Sequence, residues 1–243
     1  MPHGWLHLIP LHALSVAGEP FIVHRAVVYA PSAAVLDRAL TRARATESRY
    51  SALVMGYTPN DDPVEREIFL GEAEAIARHF GSTPLLDGEA NADALRRNAP
   101  GATHVHLSCH GDFTPGDPLG SPVALAGGNF TARDWMELQL RATLVTLSAC
   151  RTGFSEVGGG DEIVGITRAL LYAGATSSLV TLWSVNAPTT LKWMLDFYSR
   201  AWDNAGKPRE TRACAFRQAT LELRDEQADP YFWAPFVLVG DGS

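Results

Sequence analysis

The chain of 243 residues is long enough for one α/β domain, and 46% of it is hydrophobic, which is enough apolar material for a buried core. Its formal net charge of -7 argues against a nucleic-acid backbone or an anionic membrane surface as the main partner. Three sparse cysteines, no apolar run of about 18 residues and no basic start before an apolar stretch predict a cytoplasmic protein without disulfides, membrane span or signal peptide.

The N-terminal stretch is predicted to belong to the same single domain as the rest of the chain, so that one domain spans residues 1–243. Within residues 1–50, two apolar stretches are predicted as strands joined by a loop, namely Gly4–Ile9 and Glu19–Tyr29. Pro31 and Ser32 then open a predicted helix.

From residue 51 onward, short apolar runs alternate with amphipathic segments. The predicted strands are rich in β-branched residues or leucine. They are Ser51–Tyr57, the edge strand Thr83–Leu86, Thr103–Ser108, Ala142–Ser148 and Thr176–Leu182. The predicted helices are Val64–Phe80, Thr131–Glu137, Glu162–Ala173, Thr189–Asp203 and Arg209–Leu223. This alternation predicts a mostly parallel sheet with helices on both faces.

Two neighbouring strands of this predicted sheet run into reactive side chains. One is followed by Cys109 and His110, the other by Cys150, and a long glycine-containing loop begins after each. Ligands of a parallel sheet sit beyond the carboxyl ends of its strands, and a cysteine and a histidine placed there can form a nucleophile–base pair. Strand alternation turns Cys109 to the other face, so it is predicted to be structural.

Other interpretations of these residues stay open at this point. Alone, Cys150 is more typical of a small buried apolar side chain, and His110 of a satisfied histidine; only the pair favours a functional site. A metal hydrolase is a second alternative, because His104, His106 and His110 share one strand face. No carboxylate or cysteine completes the usual ligand spacing, so the residues predict no metal site.

Short motifs of characteristic sequence follow one another along nearly the whole chain. They are His106–Gly111, Leu147–Gly153, Gly160–Gly165, Leu171–Ala175, Leu182–Val185 and Tyr231–Phe236, with Leu8–Leu14 and Tyr29–Ser32 before them. In this set and order the sequence resembles the CHAT family, a bacterial branch of the caspase–separase group of cysteine peptidases. The resemblance implies a caspase-like three-layer α/β sandwich, with a mostly parallel central sheet and helices on both faces.

The same resemblance implies a cysteine endopeptidase that cleaves protein substrates and needs no cofactor. His110 and Cys150 match the family's catalytic dyad, and they lie 40 positions apart in this sequence. Caspase-like relatives stabilise the oxyanion with two backbone N–H groups, which match those of Gly111 and Cys150 here. Such donors typically contribute on the order of 10²–10³ in rate.

The segment after the last predicted parallel strand matches one that lines the substrate cleft in caspase-like enzymes. This match makes Trp183, Ser184 and Asn186 candidates for substrate binding. Separases carry acidic residues here, which are associated with basic P1 residues, so the uncharged side chains argue against an Arg or Lys preference. Asp161 and Glu162 are the remaining acidic candidates near the site, and they are equally typical of the first turn of a helix.

The resemblance to the CHAT family also implies which kinds of partner the chain has. CHAT domains often form the effector end of longer proteins with helical repeats or sensor domains. The resemblance therefore implies a peptidase that stays latent until a sensor or repeat protein activates it, with no direct nucleic-acid or membrane partner. A caspase fold without catalysis, acting as an interaction module, is the alternative.

Overall fold

The computed structural model describes residues 1–2, 6, 9–45, 50–112, 114, 116–150, 162–183 and 187–243, without the side chains of residues 45, 150 and 162–164. Its strands are β1 (Ser15–Val16), β2 (Glu19–Pro20), β3 (Ala52–Gly56), β4 (Leu85–Leu86), β5 (His104–His110), β6 (Pro122–Leu125), β7 (Gly128–Thr131), β8 (Leu144–Cys150), β9 (Ser177–Thr181) and β10 (Phe236–Gly240). Its helices are α1 (Phe21–His24), α2 (Ala33–Ala45), α3 (Pro63–His79), α4 (Ala92–Asn98), α5 (Ala132–Met136), α6 (Glu162–Ala173), α7 (Ala187–Ala201), α8 (Arg212–Glu226) and α9 (Pro230–Trp233).

The central sheet has the strand order β10-β9-β8-β5-β3-β4. Strands β4, β3, β5, β8 and β9 run parallel to one another, and β10 pairs antiparallel with β9 at one edge. Two short hairpins, β1–β2 and β6–β7, lie outside this sheet. The predicted mixed α/β class with a mostly parallel sheet is therefore confirmed.

Each face of the sheet is covered by its own apolar core. One core lies under α4, α5, α6 and the β6–β7 hairpin, with α2 packed against it through Val35. The other lies under α1, α3, α7, α8 and α9, and its aromatic centre includes Trp193 stacked on Phe236 with ring centroids 4.0 Å apart. Strands buried on both faces explain the nearly continuous apolar runs in the sequence. No helix in the described ranges is both long and apolar enough to cross a membrane.

The N-terminal strand prediction for Glu19–Tyr29 is wrong. Only Glu19–Pro20 belongs to a strand, Phe21–His24 forms helix α1, and Tyr29 makes a single parallel bridge with Val239. Ile22 is fully buried against α8, and the guanidinium of Arg217 donates to the carbonyls of Ile22 and Val23 at 2.8 and 2.6 Å. A tertiary contact thus satisfies the backbone that a strand ladder would have used. The companion prediction, Gly4–Ile9, falls mostly outside the described residues.

The predicted helix after Pro31-Ser32 is present as α2, and Ser32 Oγ accepts a hydrogen bond from the Val35 N–H at 3.2 Å. The fold also contains strand β10, helix α4 and the β6–β7 hairpin, none of which the sequence predicted. The hairpin begins at Pro122, at the end of the glycine-containing loop that was predicted after His110.

One buried histidine makes the stability of this fold depend on pH. His104 is 5% exposed, and its Nδ1 lies 3.0 Å from the Thr103 hydroxyl. Burial, with a smaller effect from the charge of Arg212, lowers the pKa of His104 from its ordinary value of 6.5 to about 3. The folded chain therefore keeps this imidazole neutral under conditions in which the unfolded chain protonates it.

We predict that His104→Gln flattens the acid dependence of stability. Between pH 6.5 and about 3 the unfolded state binds a proton that the folded state does not, so the free energy of unfolding falls as the pH falls. His104 contributes up to about 1.4 kcal/mol per pH unit to this slope. Urea unfolding from neutral to acidic pH measures it, with His24→Gln, an exposed histidine, as the control. Equal slopes in His104→Gln and the wild-type chain would contradict the prediction.

Candidate functional site

The backbone brings the two predicted catalytic positions side by side. β5 and β8 are parallel neighbours, and their register pairs His110 directly with Cys150 at the carboxyl ends of both strands. Neighbouring strands lie about 4.8 Å apart, so the two residues start from adjacent points of one sheet edge. The side chain of Cys150 lies outside the described part of the chain.

The imidazole of His110 is held by helix α3. Its Nε2 lies 3.1 Å from Glu65 Oε2, and its ring meets Phe69 edge-on with centroids 4.5 Å apart. Glu65 and Phe69 are one helical turn apart, so one face of α3 contacts the ring at two places. About a third of the His110 side chain remains exposed. The ring is therefore fixed but accessible.

Glu65 accepts two more hydrogen bonds, from Thr58 Oγ1 at 2.9 Å and from Asn60 Nδ2 at 2.8 Å. The bonds from Asn60, His110 and Thr58 lower the pKa of Glu65 below its ordinary value. An ionised carboxylate only accepts hydrogen bonds, so Nε2 of His110 must be the donor. The other ring nitrogen, Nδ1, is then the one available to take up a proton.

The start of α3 holds Glu65 in place. Asp62 caps the helix by accepting from the backbone N–H groups of Val64 and Glu65 at 2.8 and 3.1 Å. Pro63 occupies the first helical turn, where its missing N–H does no harm. Because this helix follows β3, which pairs with β5, its first turn lies beside the end of the strand that carries His110.

The backbone after His110 is also fixed. Gly111 is buried and forms an antiparallel bridge with Val123 of β6, and the Asp112 N–H donates to the Pro122 carbonyl at 3.0 Å. The β6–β7 hairpin thus supports the backbone whose N–H the sequence assigned to an oxyanion hole. Cys109, predicted to be structural, is 1% exposed in the core on the opposite face from His106.

Of the predicted substrate-binding residues, the structure brings Trp183 to the same edge of the sheet. Trp183 follows β9 and is half-buried, and its indole N–H donates to the Tyr231 carbonyl at 3.0 Å. Ser184, Asn186 and Asp161 lie outside the described residues. Glu162 begins α6, and its side chain is not described.

A buried polar network lies beneath the site. His106 is 3.0 Å from Glu72 through Nε2 and 3.0 Å from the Tyr198 hydroxyl through Nδ1, and that hydroxyl donates to Thr146 at 2.7 Å. Burial raises the pKa of Tyr198 far above its ordinary value, so the hydroxyl stays a donor. Glu72 and Ser148 also line a cavity of about 20 Å³, which is near the size of one water molecule.

The same network bears on the metal alternative. Both ring nitrogens of His106 and the Nδ1 of His104 already contact protein groups. Within the described ranges, no group of three His, Cys, Asp or Glu side chains is placed to hold a metal ion. His104 and His106 therefore belong to the packing of the sheet, and only His110 lies in the candidate site.

Sequence reasoning missed Glu65, Phe69 and Glu72. The signal for Glu65 was the polar segment Thr58–Asp62, which follows a predicted strand next to the one that ends in His110. Polar residues after adjacent parallel strands meet at one edge, so the first turn of the following helix was a place to look.

Comparison with known proteins adds relatives with much longer chains. Tetratricopeptide repeat protein 28 of Homo sapiens is 27% identical over 65% of this chain and 6% of that protein. The protein of the same name from Mus musculus is 30% identical over 70% of this chain and 8% of that protein. The chain therefore spans less than a tenth of these relatives. Both are mammalian, so the bacterial character implied by the resemblance is not supported.

Solved structures share the fold at low identity. Separase of Saccharomyces cerevisiae, in its complex with securin, covers 96% of this chain with a TM-score of 0.62 and 16% identity, matched by 14% of the separase chain. The Arg-specific cysteine proteinase gingipain R covers 86% with a TM-score of 0.52 and 11% identity, matched by 52% of its chain. The fold is thus that of caspase-like cysteine peptidases. A family model described as the CHAT domain matches residues 1–241, and the chain belongs to the CHAT domain family.

Proposed function

We propose that this chain is a cysteine endopeptidase in which Cys150 is the nucleophile and His110 its proton-transfer partner. The observation that carries the proposal is the pairing of these residues at adjacent strand ends, with Nε2 of His110 bonded to Glu65 and Nδ1 left to act as the base. A nucleophile beside a base that a third group orients is the general pattern of covalent catalysis.

In the proposed reaction, Nδ1 of His110 takes the thiol proton of Cys150, and the thiolate adds to the scissile carbonyl carbon. The backbone N–H groups of Gly111 and Cys150 donate to the resulting oxyanion. The protonated imidazole then gives its proton to the leaving amine as the C–N bond breaks. Water, deprotonated by the same nitrogen, attacks the thioester and releases the acid and the free thiol.

Glu65 is proposed as a positioning residue that acts through His110. Its ionised carboxylate fixes the ring by accepting from Nε2, and it stabilises the imidazolium that forms during both transfers. Thr58 and Asn60 hold the carboxylate at the correct angle, which an isolated glutamate on a helix surface would not keep.

The proposed substrate is an extended protein segment beside the ends of β8 and β9, with Trp183, Ser184 and Asn186 forming the wall of the cleft. Asp161 and Glu162 remain the acidic candidates for substrate binding. We propose no strong selection for Arg or Lys at P1, because a buried basic side chain needs an unoccupied carboxylate opposite it. The Glu72 carboxylate is already bonded to His106, and the cavity beside it has a volume of about 20 Å³, which is too small for a basic side chain.

We predict that Cys150→Ala and His110→Ala each abolish peptide hydrolysis while the chain stays folded, because alanine is close to cysteine in size and about a third of the His110 side chain is exposed. The double variant is expected to be no worse than either single one, since the two residues act as a unit. Hydrolysis of an unfolded protein substrate, followed by mass spectrometry, measures this, and Cys214→Ala, an exposed cysteine, is the control. Full activity in Cys150→Ala would rule out Cys150 as the nucleophile.

We predict that Glu65→Gln lowers kcat by about tenfold to hundredfold and leaves KM unchanged, a part of the roughly 10²–10⁴ that a positioned base contributes. Alkylation of Cys150 by a small neutral reagent is expected to slow by a similar factor, which a purely structural role of Glu65 would not cause. Glu67→Gln on the exposed side of the same helix is the matched control. An unchanged kcat, or a loss shared with Glu67→Gln, would refute the positioning role.

The proposal includes latency, since the relatives are far longer chains named for helical repeats and one structural neighbour was solved with a bound partner. The isolated chain is expected to react slowly with a peptidyl electrophile that forms a bond with Cys150. The rate is measured by intact-mass spectrometry, and the alkylation rate of exposed Cys214 in the same sample is the reference. Rapid, stoichiometric modification of Cys150 in the isolated chain is the result that would count against latency.

A further inference from the structure

A groove of about 760 Å³ is lined by residues of α2, α5 and α6 and of the segments next to them. It runs between α2 and α6, and we call it the α2–α6 groove. The residues that line it are Val35, Arg38, Arg42, Leu119, Met136 to Leu140, Arg168, Ala169 and Leu171 to Gly174. Val35, Leu119 and Met136 give it a half-buried apolar floor. No residue of this groove takes part in the candidate active site.

The rim of the α2–α6 groove is positively charged. Arg38 and Arg42 reach it from α2, and Arg168 reaches it from α6. Arg38 and Arg168 are exposed, and among the described residues no carboxylate lies within ion-pair distance of either. Glu137 is an acidic residue of the lining. In a chain of net charge -7, this concentration of arginines is a local reversal of sign.

The groove also has an exposed aromatic side chain. Tyr172 is 64% exposed on α6, one helical turn after Arg168. Arginine and tyrosine are the residue types that most often supply the binding energy of protein interfaces. An apolar floor with arginine and tyrosine at its edges matches the composition of an interface core and rim.

The position of the groove connects it to both ends of the candidate active site. Leu119 belongs to the segment that follows His110, and α6 follows the segment after Cys150. At Gly165, an added Cβ would lie 2.8 Å from both Cβ and O of Pro118, so α6 and that segment touch backbone to backbone. An occupant of the groove therefore contacts the helix and the turn that flank the dyad.

We propose that the α2–α6 groove binds an α-helical protein segment with an apolar face flanked by acidic residues. Side chains of two helices line the groove and offer no free strand edge, so a helix laid along them is the mode of recognition that fits. The arginine rim selects acidic flanks by charge complementarity. Its position against Leu119 and α6 makes it a docking surface from which a partner reaches the active site.

The experiment uses two synthetic peptides of about 18 residues with the same leucine and phenylalanine positions on one helical face. One carries glutamate on both flanks, and the other carries lysine. We expect the glutamate peptide to bind the full chain about tenfold more tightly at low salt, with the difference shrinking as salt is added. Fluorescence anisotropy measures both dissociation constants without any need for proteolysis, so loss of the proposed peptidase activity would not affect this result.

Two variants locate the binding. Arg38→Glu combined with Arg168→Glu is expected to remove or reverse the preference, and Tyr172→Ala to weaken both peptides. The matched control, Arg78→Glu with Arg97→Glu, makes the same change in charge at exposed positions on α3 and α4 and is expected to keep the preference. Equal affinities, an equal loss in the control, or no saturation near millimolar peptide would overturn the proposal. So would groove-dependent binding of phosphatidylserine vesicles, which would assign the surface to a membrane.

Discussion

Seven consecutive residue pairs of β5 and β8, from His104 with Leu144 to His110 with Cys150, are held in parallel register, and the candidate site exists only in that register. Successive side chains of a strand point to opposite faces, so a slip of one residue would carry a whole strand's side chains to the wrong core. The register between β3 and β5 fixes the position of α3, because it sets where that helix begins relative to His110. The positions of the proposed nucleophile, its proposed base and the Glu65 carboxylate thus depend on one hydrogen-bonded sheet.

Buried polar groups add specificity to that register. Apolar runs such as β10 would pack almost equally well if shifted, because buried strands of this kind carry little positional information. The bonds of His106 to Glu72 and Tyr198 are made at one register only, since a shift would leave buried donors and acceptors unpaired. The network under the site therefore connects the sheet to α3 and α7 at a unique position, within a core whose apolar side chains alone would not define one.

The sequence was most informative where a segment's own pattern decides its structure. Helix α6 was predicted with the bounds it has, and the strands that end near His110 and Cys150 were placed to within two residues. Prediction failed where distant residues decide: Phe21–His24 has the composition of a strand, but contacts with α8 make it helical. The pairing of His110 with Cys150 was anticipated, whereas Glu65 lies 45 residues from His110 and becomes visible only when β3 and β5 are neighbours.

The contact between Gly165 and Pro118 has a consequence for the entropy of binding. A helix and a turn that meet without an intervening side chain cannot choose their positions independently, because any displacement of one closes or opens the gap to the other. Ordering a backbone residue costs about 1–2 kcal/mol in lost conformational freedom. A ligand that immobilises Pro118 thereby also immobilises α6 at Gly165, and that loss of freedom is incurred once for both elements.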